Sequence, residues 1–385
     1  MVNFDLLKSV EDIYPYMINV RRELHKIPEV GLFIPKTQKL VLNELEKMGF
    51  SPEYNDQSSG ISVKIPGKNS ETVILRADMD ALPVIEPKIL EFRSVHEGSM
   101  HACGHDLHTA MLLGTAKILS QIVPEQNIIL AFQSGEEFDR GAVPLLEHQN
   151  FLNLKDAKAF ALHVNSNLAS GSLNWKIDTF MGFGDWFEIE IIGEGGHASS
   201  PQKAITPIKP AAEIISAINT LTDLSHKPWP VKVATVTMVQ SGNSRNVIPS
   251  SATIKGTIRT KDLTELQFIK KQLTEIVYKV RESSQTNISL DIIKGYPAVL
   301  NDKATTVDAL SKFSKIIPSI NLNEMPETSM VIEDFSYFTN RWPGSMIFLG
   351  ASSPGFNAFN HSPDVMFDES AMKIGCAYLC SLAMK

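Results

Sequence analysis

TVILRADMD, residues Thr72–Asp80, is a short apolar run that ends in two acids. Three further runs share its texture: NIILAFQSGEE (Asn127–Glu137), AKAFALHV (Ala157–Val164) and MIFLG (Met346–Gly350). Each is apolar almost throughout, and helical stretches separate them, as expected for strands buried on both faces of a largely parallel sheet. The expected class is therefore α/β, with helices covering a mostly parallel central sheet. Upstream, Glu11–Met48 carries apolar residues at three- and four-residue spacing, broken at Pro28 and Pro35 and stopped by Gly49, which predicts helix in two pieces.

From about Asp185 to Ile293 the strands alternate apolar and polar residues. FEIEIIG, VKVATVTMV, SATIKGTIRT and ISLDIIKG read as four strands, with Pro207–Leu224 and Leu263–Arg281 as two helices. The order strand, helix, strand, strand, helix, strand is that of a ferredoxin-like α+β unit. The sequence thus predicts an inserted domain over 185–293 inside a catalytic domain made of 1–184 and 294–385, with no internal repeat or flexible linker.

The chain has 385 residues, 43% of them hydrophobic, enough for two cores. A net charge of -7 and a pI near 5.8 leave no positive field for a phosphate backbone, so no nucleic-acid partner is expected. No stretch approaches the roughly 18 apolar residues of a membrane span. The opening MVNFDLLKSVEDIYPYM carries acids early and lacks the apolar core of a secretory signal. Three cysteines cannot form a disulfide framework, and the reading is a cytoplasmic protein without a membrane partner.

The polar residues with chemistry to offer lie just beyond the apolar runs: Asp78 and Asp80, Glu136 and Glu137, His163, and His361 in the loop beyond MIFLG. Ligands of open α/β sheets bind outside the carboxyl ends of the strands, so these side chains can converge from distant points in the sequence. MHACGHDLHTAM (Met100–Met111) adds Cys103 and His105, one residue apart around Gly104, before a helical run. Imidazole with thiolate suits zinc, nickel, cobalt or manganese better than calcium or magnesium. Of Glu136 and Glu137, one can bind metal while the other faces a water as general base, and the residues alone do not order them. His101 and His108 share the neighbourhood; His108 falls on the helix, with a place behind the ligands as the lesser alternative. Cys376 and Cys380, four apart among apolar neighbours, read as core positions of a terminal helix.

RADMDALP, MHACGHDLHTAM, FQSGEE, LHV, IGEGGHAS, NVIP, GTIRT, EDF and the late His361, in that order, resemble the metal-dependent aminoacylase and carboxypeptidase superfamily. Within it the chain is similar to the amidohydrolase branch of hippurate hydrolases, auxin-conjugate hydrolases and N-acetyldiaminopimelate deacetylases. The resemblance implies a zinc-peptidase-like catalytic domain interrupted by a dimerisation domain, hence a homodimer or higher homo-oligomer. It implies Cys103, His105, Glu137, His163 and His361 as ligands of one or two divalent transition-metal ions (Zn, Mn, Ni or Co). Glu136 becomes the general base and Asp80 a supporting acid. His197 would help bind the substrate carbonyl, while Asn246 and Arg259 would hold the substrate carboxylate.

The implied substrates are N-acyl amino acids, cleaved to an acid and a free amino acid. A carboxypeptidase or dipeptidase using the same centre is the first rival, and a catalytically silent metal-binding protein the second. The chain departs from the family pattern at Ser134-Gly135 before the Glu pair, at Ile332 before EDF, in the loop Glu86–Ser99 and in DLSHKPWP (Asp223–Pro230), none of which removes a ligand.

Overall fold

The structure, a computed structural model, describes residues 5–87, 90–137, 140–222 and 232–384. The stretch DLSHKPWP lies outside the described residues. Helix α1 (Leu6–Lys26) starts earlier than the sequence reading placed it, because the Asp5 side chain accepts the backbone N–H of Lys8 and caps the first turn. Its apolar face, Leu6, Val10, Ile13, Met17, Val20 and Leu24, is buried at helical spacing. Pro35 opens helix α2 (Pro35–Lys47), where its missing N–H costs nothing.

Strands β1 (Glu53–Tyr54), β2 (Ile61–Ile65) and β3 (Thr72–Asp78) precede helix α3 (His105–Leu119), followed by β4 (Asn127–Gln133), β5 (Lys158–Asn165) and β6 (Leu173–Trp175). With strands Leu322–Glu324 and Gly344–Gly350 they form one eight-stranded sheet. Its order is β1, β2, β4, β3, β5, Gly344–Gly350, β6, Leu322–Glu324. The four central strands, β4, β3, β5 and Gly344–Gly350, pair in parallel and are the four runs picked out by their apolar texture. Antiparallel pairing is confined to the flanks, at β1 with β2, β2 with β4, and β6 with Gly344–Gly350.

Helix α3 is buried on nearly every face and packs against α1 and the terminal helix Ala371–Leu382. Gly114 permits that approach, since a Cβ there would lie 2.6 Å from the Met17 sulfur. Cys376 and Cys380 face this core. Among the described residues no helix is long and apolar enough to cross a membrane.

The chain divides into two compact units, one of 1–178, 300–326 and 334–385, the other of 179–299 with 327–333. The second begins at Thr179 rather than 185 and ends at Val299 rather than 293. Its added segment is tied by main-chain hydrogen bonds, Gly182 N–H to Ser329 O at 2.9 Å and Ser329 N–H to Phe180 O at 3.0 Å, which no alternation pattern reveals. The unit carries an antiparallel sheet in the order Lys232–Ser241, Ser251–Thr260, Phe183–Ile192, Asn287–Tyr296, with helices Ile208–Asn219 and Leu263–Ser283 packed on it. This is the ferredoxin-like arrangement. Phe187, Ile189, Ile191, Ile254 and Ile258 of the sheet meet Ile214, Ile218, Ile269 and Leu273 of the helices in a separate core.

Candidate metal centre

The centre is built where β3 and β5 end and α3 begins. Gly104 caps α3 with a left-handed backbone, φ 85°, and a Cβ there would lie 2.3 Å from Val164 Cγ2. Glycine is required on both counts, and the resulting turn carries Cys103 and His105 on either side of it. His361 also has a positive φ, 70°, in a non-glycine residue, and its N–H donates to Ala102 O at 2.8 Å. That strained backbone, a feature typical of functional sites, holds the His361 ring against Cys103.

Cys103 Sγ lies 3.3 Å from His163 Nε2 and 3.1 Å from His361 Nε2. Glu137 Oε1 lies 3.3 Å from His361 Nε2 and 3.9 Å from His105 Nε2. Among the groups whose donor atoms fall within 4.8 Å of one another are three that share members: Cys103, His105 and His163; Cys103, Glu137 and His361; His105, Glu136 and Glu137. Cys103 and His105 each belong to two of these sets, so the sets are linked to one another. Neither ring nitrogen of His105, nor Glu137 Oε1, makes a hydrogen bond, although all three atoms are buried. Orphaned buried donors of this kind are costly, and a divalent ion among them would satisfy them. The residues therefore fit a transition-metal centre.

The electrostatics agree. Burial, with Glu137, Glu136 and Asp78 nearby, pushes the Cys103 thiol well above its ordinary value. Burial pushes His105 down, yet Asp78, Asp80 and Glu137 outweigh it and raise the imidazole to about 10. Burial holds His163 well below its ordinary value. Acidic groups thus dominate the surroundings of Cys103 and His105, as suits the binding of a cation.

Asp80 carries out a different task. Its two oxygens accept the backbone N–H groups of Glu136 at 3.1 Å and Glu137 at 3.2 Å, and Oδ1 lies 3.5 Å from His105 Nδ1. It therefore fixes the turn that presents both glutamates, while Gly135, φ 73°, allows the chain to reverse. Glu136 is buried beside His105 and Glu137.

Beneath these residues runs a network that sequence reasoning missed. Buried Arg76 donates to Asp78 at 2.6 Å, to Gln133 Oε1 at 3.0 Å and to Asp334 at 3.0 Å. Gln133 also donates to Asp334, at 2.7 Å. Polar residues inside otherwise apolar strands, Arg76 in TVILRAD and Gln133 in NIILAFQ, were the available signal. On the other side, Arg21 and His25 of α1 grip Asp106 at 2.9 and 2.8 Å. They stand four apart on one helix face, a spacing that only the partner makes meaningful.

The remaining expected residues belong to the second unit. His197 sits in a two-residue strand opposite Val247, exposed, with Ser199 Oγ 2.7 Å from its Nδ1. Asn246 is next to it, its carbonyl accepting Ala198 N–H at 3.0 Å, and both line one cleft with Gln240, Ser251 and Thr253. Arg259 is elsewhere. It lies at the far end of Ser251–Thr260, opposite Gly184, with its guanidinium 5.8 Å from the Trp186 ring, and burial lowers it to about 10. Ser251 to Arg259 is eight steps of extended strand, about 26 Å. Asn246 and Arg259 of one chain are thus not brought together on a single small carboxylate.

Residues 74–385 match the profile of Peptidase family M20/M25/M40. The chain belongs to this family. It is 33% identical over 390 residues to the IAA-amino acid hydrolase ILR1-like 4 of Arabidopsis thaliana, covering 99% of this chain and 88% of the relative. Against thermostable carboxypeptidase 1 of Saccharolobus solfataricus it is 34% identical over 392 residues, covering 99% and 98%. A dinuclear metal binding peptidase of the M20 family from Bacillus subtilis superposes with a TM-score of 0.80 at 29% identity, over 97% of this chain and 98% of that one. This M20-family protein is a metal-dependent hydrolase of amide bonds.

Proposed function

We propose that the protein cleaves the amide bond of N-acyl amino acids, releasing a carboxylic acid and a free amino acid. The observation that carries the reading is the convergence of three donor sets linked through Cys103 and His105, with Glu136 in one of them. In this reading Cys103, His105, Glu137, His163 and His361 hold one or two divalent ions, of zinc, manganese, nickel or cobalt. Bound there, such ions supply Lewis acidity that polarises the amide carbonyl and makes water nucleophilic near neutral pH. Glu136, held by Asp80 through its backbone, takes the proton of the attacking water and delivers it to the leaving nitrogen. Atoms balance: the amide C–N bond breaks, the C–O bond forms, and the proton ends on the amine.

His197 hydrogen-bonds the substrate carbonyl oxygen, and Asn246 and Arg259 bind the carboxylate. Because His197 and Asn246 line a cleft with Ser251, at the other end of strand Ser251–Thr260 from Arg259, we assign them and Arg259 to different protomers of a homodimer. Each protomer then lends its His197 end to its partner's site. The working compartment in this reading is the cytoplasm.

The substrate class is testable with a panel of benzoyl and acetyl amino acids set against unblocked dipeptides, reading release of the free amino acid. Preferential cleavage of the blocked compounds is the expected result. Cleavage of dipeptides alone would favour the carboxypeptidase reading that the Saccharolobus relative's name suggests, and no hydrolysis of either would overturn both substrate readings and favour the silent metal-binding alternative.

A further inference from the structure

The central sheet parts at the metal centre. β3 stays paired with β4 to its last residue, Asp78 opposite Gln133, and β5 stays paired with Gly344–Gly350 to Asn165. Between β3 and β5, however, pairing stops at Arg76 and Ala161. Backbone groups freed inside a buried sheet need partners, and here the first turns of α3 supply them. Val164 N–H donates to His108 Nε2 at 2.8 Å, and His108 Nδ1 lies 2.5 Å from Asp78 Oδ1. Thr109 Oγ1 donates to Asp78 O at 3.0 Å. A single imidazole therefore spans the gap from one strand end to the other.

We propose that His108 is a positioning residue, a strut that holds the ends of β3 and β5 apart and orients the donors on both. The hydrogen bonds fix its tautomer. Val164 N–H must donate, so Nε2 carries no proton; the ring proton is on Nδ1 and is donated to Asp78. With both nitrogens committed, His108 is not a ligand, even though Asp78, His105 and His108 have donor atoms close enough for one.

Its influence on the centre passes through Val164. The carbonyl of the same residue accepts from His163 Nδ1 at 2.8 Å, leaving His163 Nε2 directed at Cys103. Asp78, held by the other end of the strut, lies 3.8 Å from His105 Nε2. His108 packs edge-on to His163 at 4.7 Å between centroids and stacks on His105 at 5.4 Å. Removing it leaves Val164 N–H and one Asp78 oxygen unsatisfied and frees both strand ends to close. Loss of such a partner behind a ligand typically weakens metal binding about 10–100-fold.

The inference rests on the metal-holding reading above, and the test separates the two. Protein labelled with 15N-histidine would be examined metal-free by long-range 1H–15N correlation. Zinc affinity by chelator competition and the cobalt(II) absorption spectrum would be compared for wild type, His108→Ala, His108→Gln and His108→Asn. The expected results are an Nδ1–H tautomer at His108 and zinc binding about 10–100-fold weaker in His108→Ala, with an altered cobalt spectrum. Partial recovery is expected in His108→Gln, whose carbonyl can accept from Val164, and in His108→Asn, whose amide can donate to Asp78. An Nε2–H tautomer would overturn the proposal, as would His108→Ala with wild-type affinity and spectrum, or losses in all variants that merely track metal-free thermal stability. Should His108→Ala not fold, the tautomer and the two amide variants still decide. Wild type that binds no ion would sink the metal reading, while the tautomer would still decide the strut.

Discussion

At the scale of single residues, the proposed function gives two adjacent glutamates different roles. Glu137 Oε1 lies 3.3 Å from His361 Nε2 and 3.9 Å from His105 Nε2, while Asp80 accepts the backbone N–H groups of both glutamates. Glu137→Gln should therefore release metal, while Glu136→Gln should retain it and lose at least ~100-fold in turnover, the low end for a positioned general base. Metal content and turnover measured on both variants check the assignment, and reversed phenotypes would refute it. A second expectation concerns protons. In the metal-free protein the Cys103 thiol is pushed up by burial and nearby carboxylates, and His105 is raised to about 10, so both hold protons near pH 7. Ion binding requires thiolate and unprotonated imidazole, so affinity should rise with pH by about tenfold per unit for each proton released. Zinc affinity that does not change across neutral pH would contradict this. Cys103→Ser should weaken retention, because a neutral hydroxyl replaces the thiolate.

At the scale of elements, the decisive piece is the loop that runs through Gly104 into α3. Gly104→Ala forces an unfavourable φ and drives a methyl onto Val164, so about 1–3 kcal/mol of stability should be lost and ion binding should weaken. Urea unfolding of the metal-free variant and zinc competition measure both, and wild-type values would show that the turn is not what places Cys103 and His105. Much of this scale was legible. Buried parallel strands write themselves as apolar runs, so their ends, and with them Asp80, Glu136, Glu137 and His163, could be located from the sequence. The parting of β3 from β5 was not legible, because it depends on which strands become neighbours. For the same reason His108 was placed only vaguely behind the ligands. The grip of α1 on Asp106 also escaped, since Arg21 and His25 look like an ordinary helix face until α3 is laid against it. Arg259 was located on its strand, but the span that separates it from Asn246 emerges only from the pairing of the sheet.

At the scale of the whole molecule, that span leads to a test of assembly. A Glu136→Gln chain has a dead centre and a sound His197, and a His197→Ala chain has the opposite defect. Mixed dimers pair one sound site with one doubly defective site, so random pairing of equal amounts should restore about a quarter of wild-type activity. Co-expression with two tags would confirm the mixed dimers, and no recovery in them would place His197 within its own chain's site. The central claim is that amide hydrolysis depends on the metal held by Cys103, His105, Glu137, His163 and His361. Its most direct measurement is elemental analysis of the purified protein alongside hydrolysis of N-acyl amino acids before and after chelation. One or two transition-metal ions per chain, with activity lost to the chelator and regained when metal is returned, is the predicted result; metal-free protein whose hydrolysis is indifferent to chelation would contradict it.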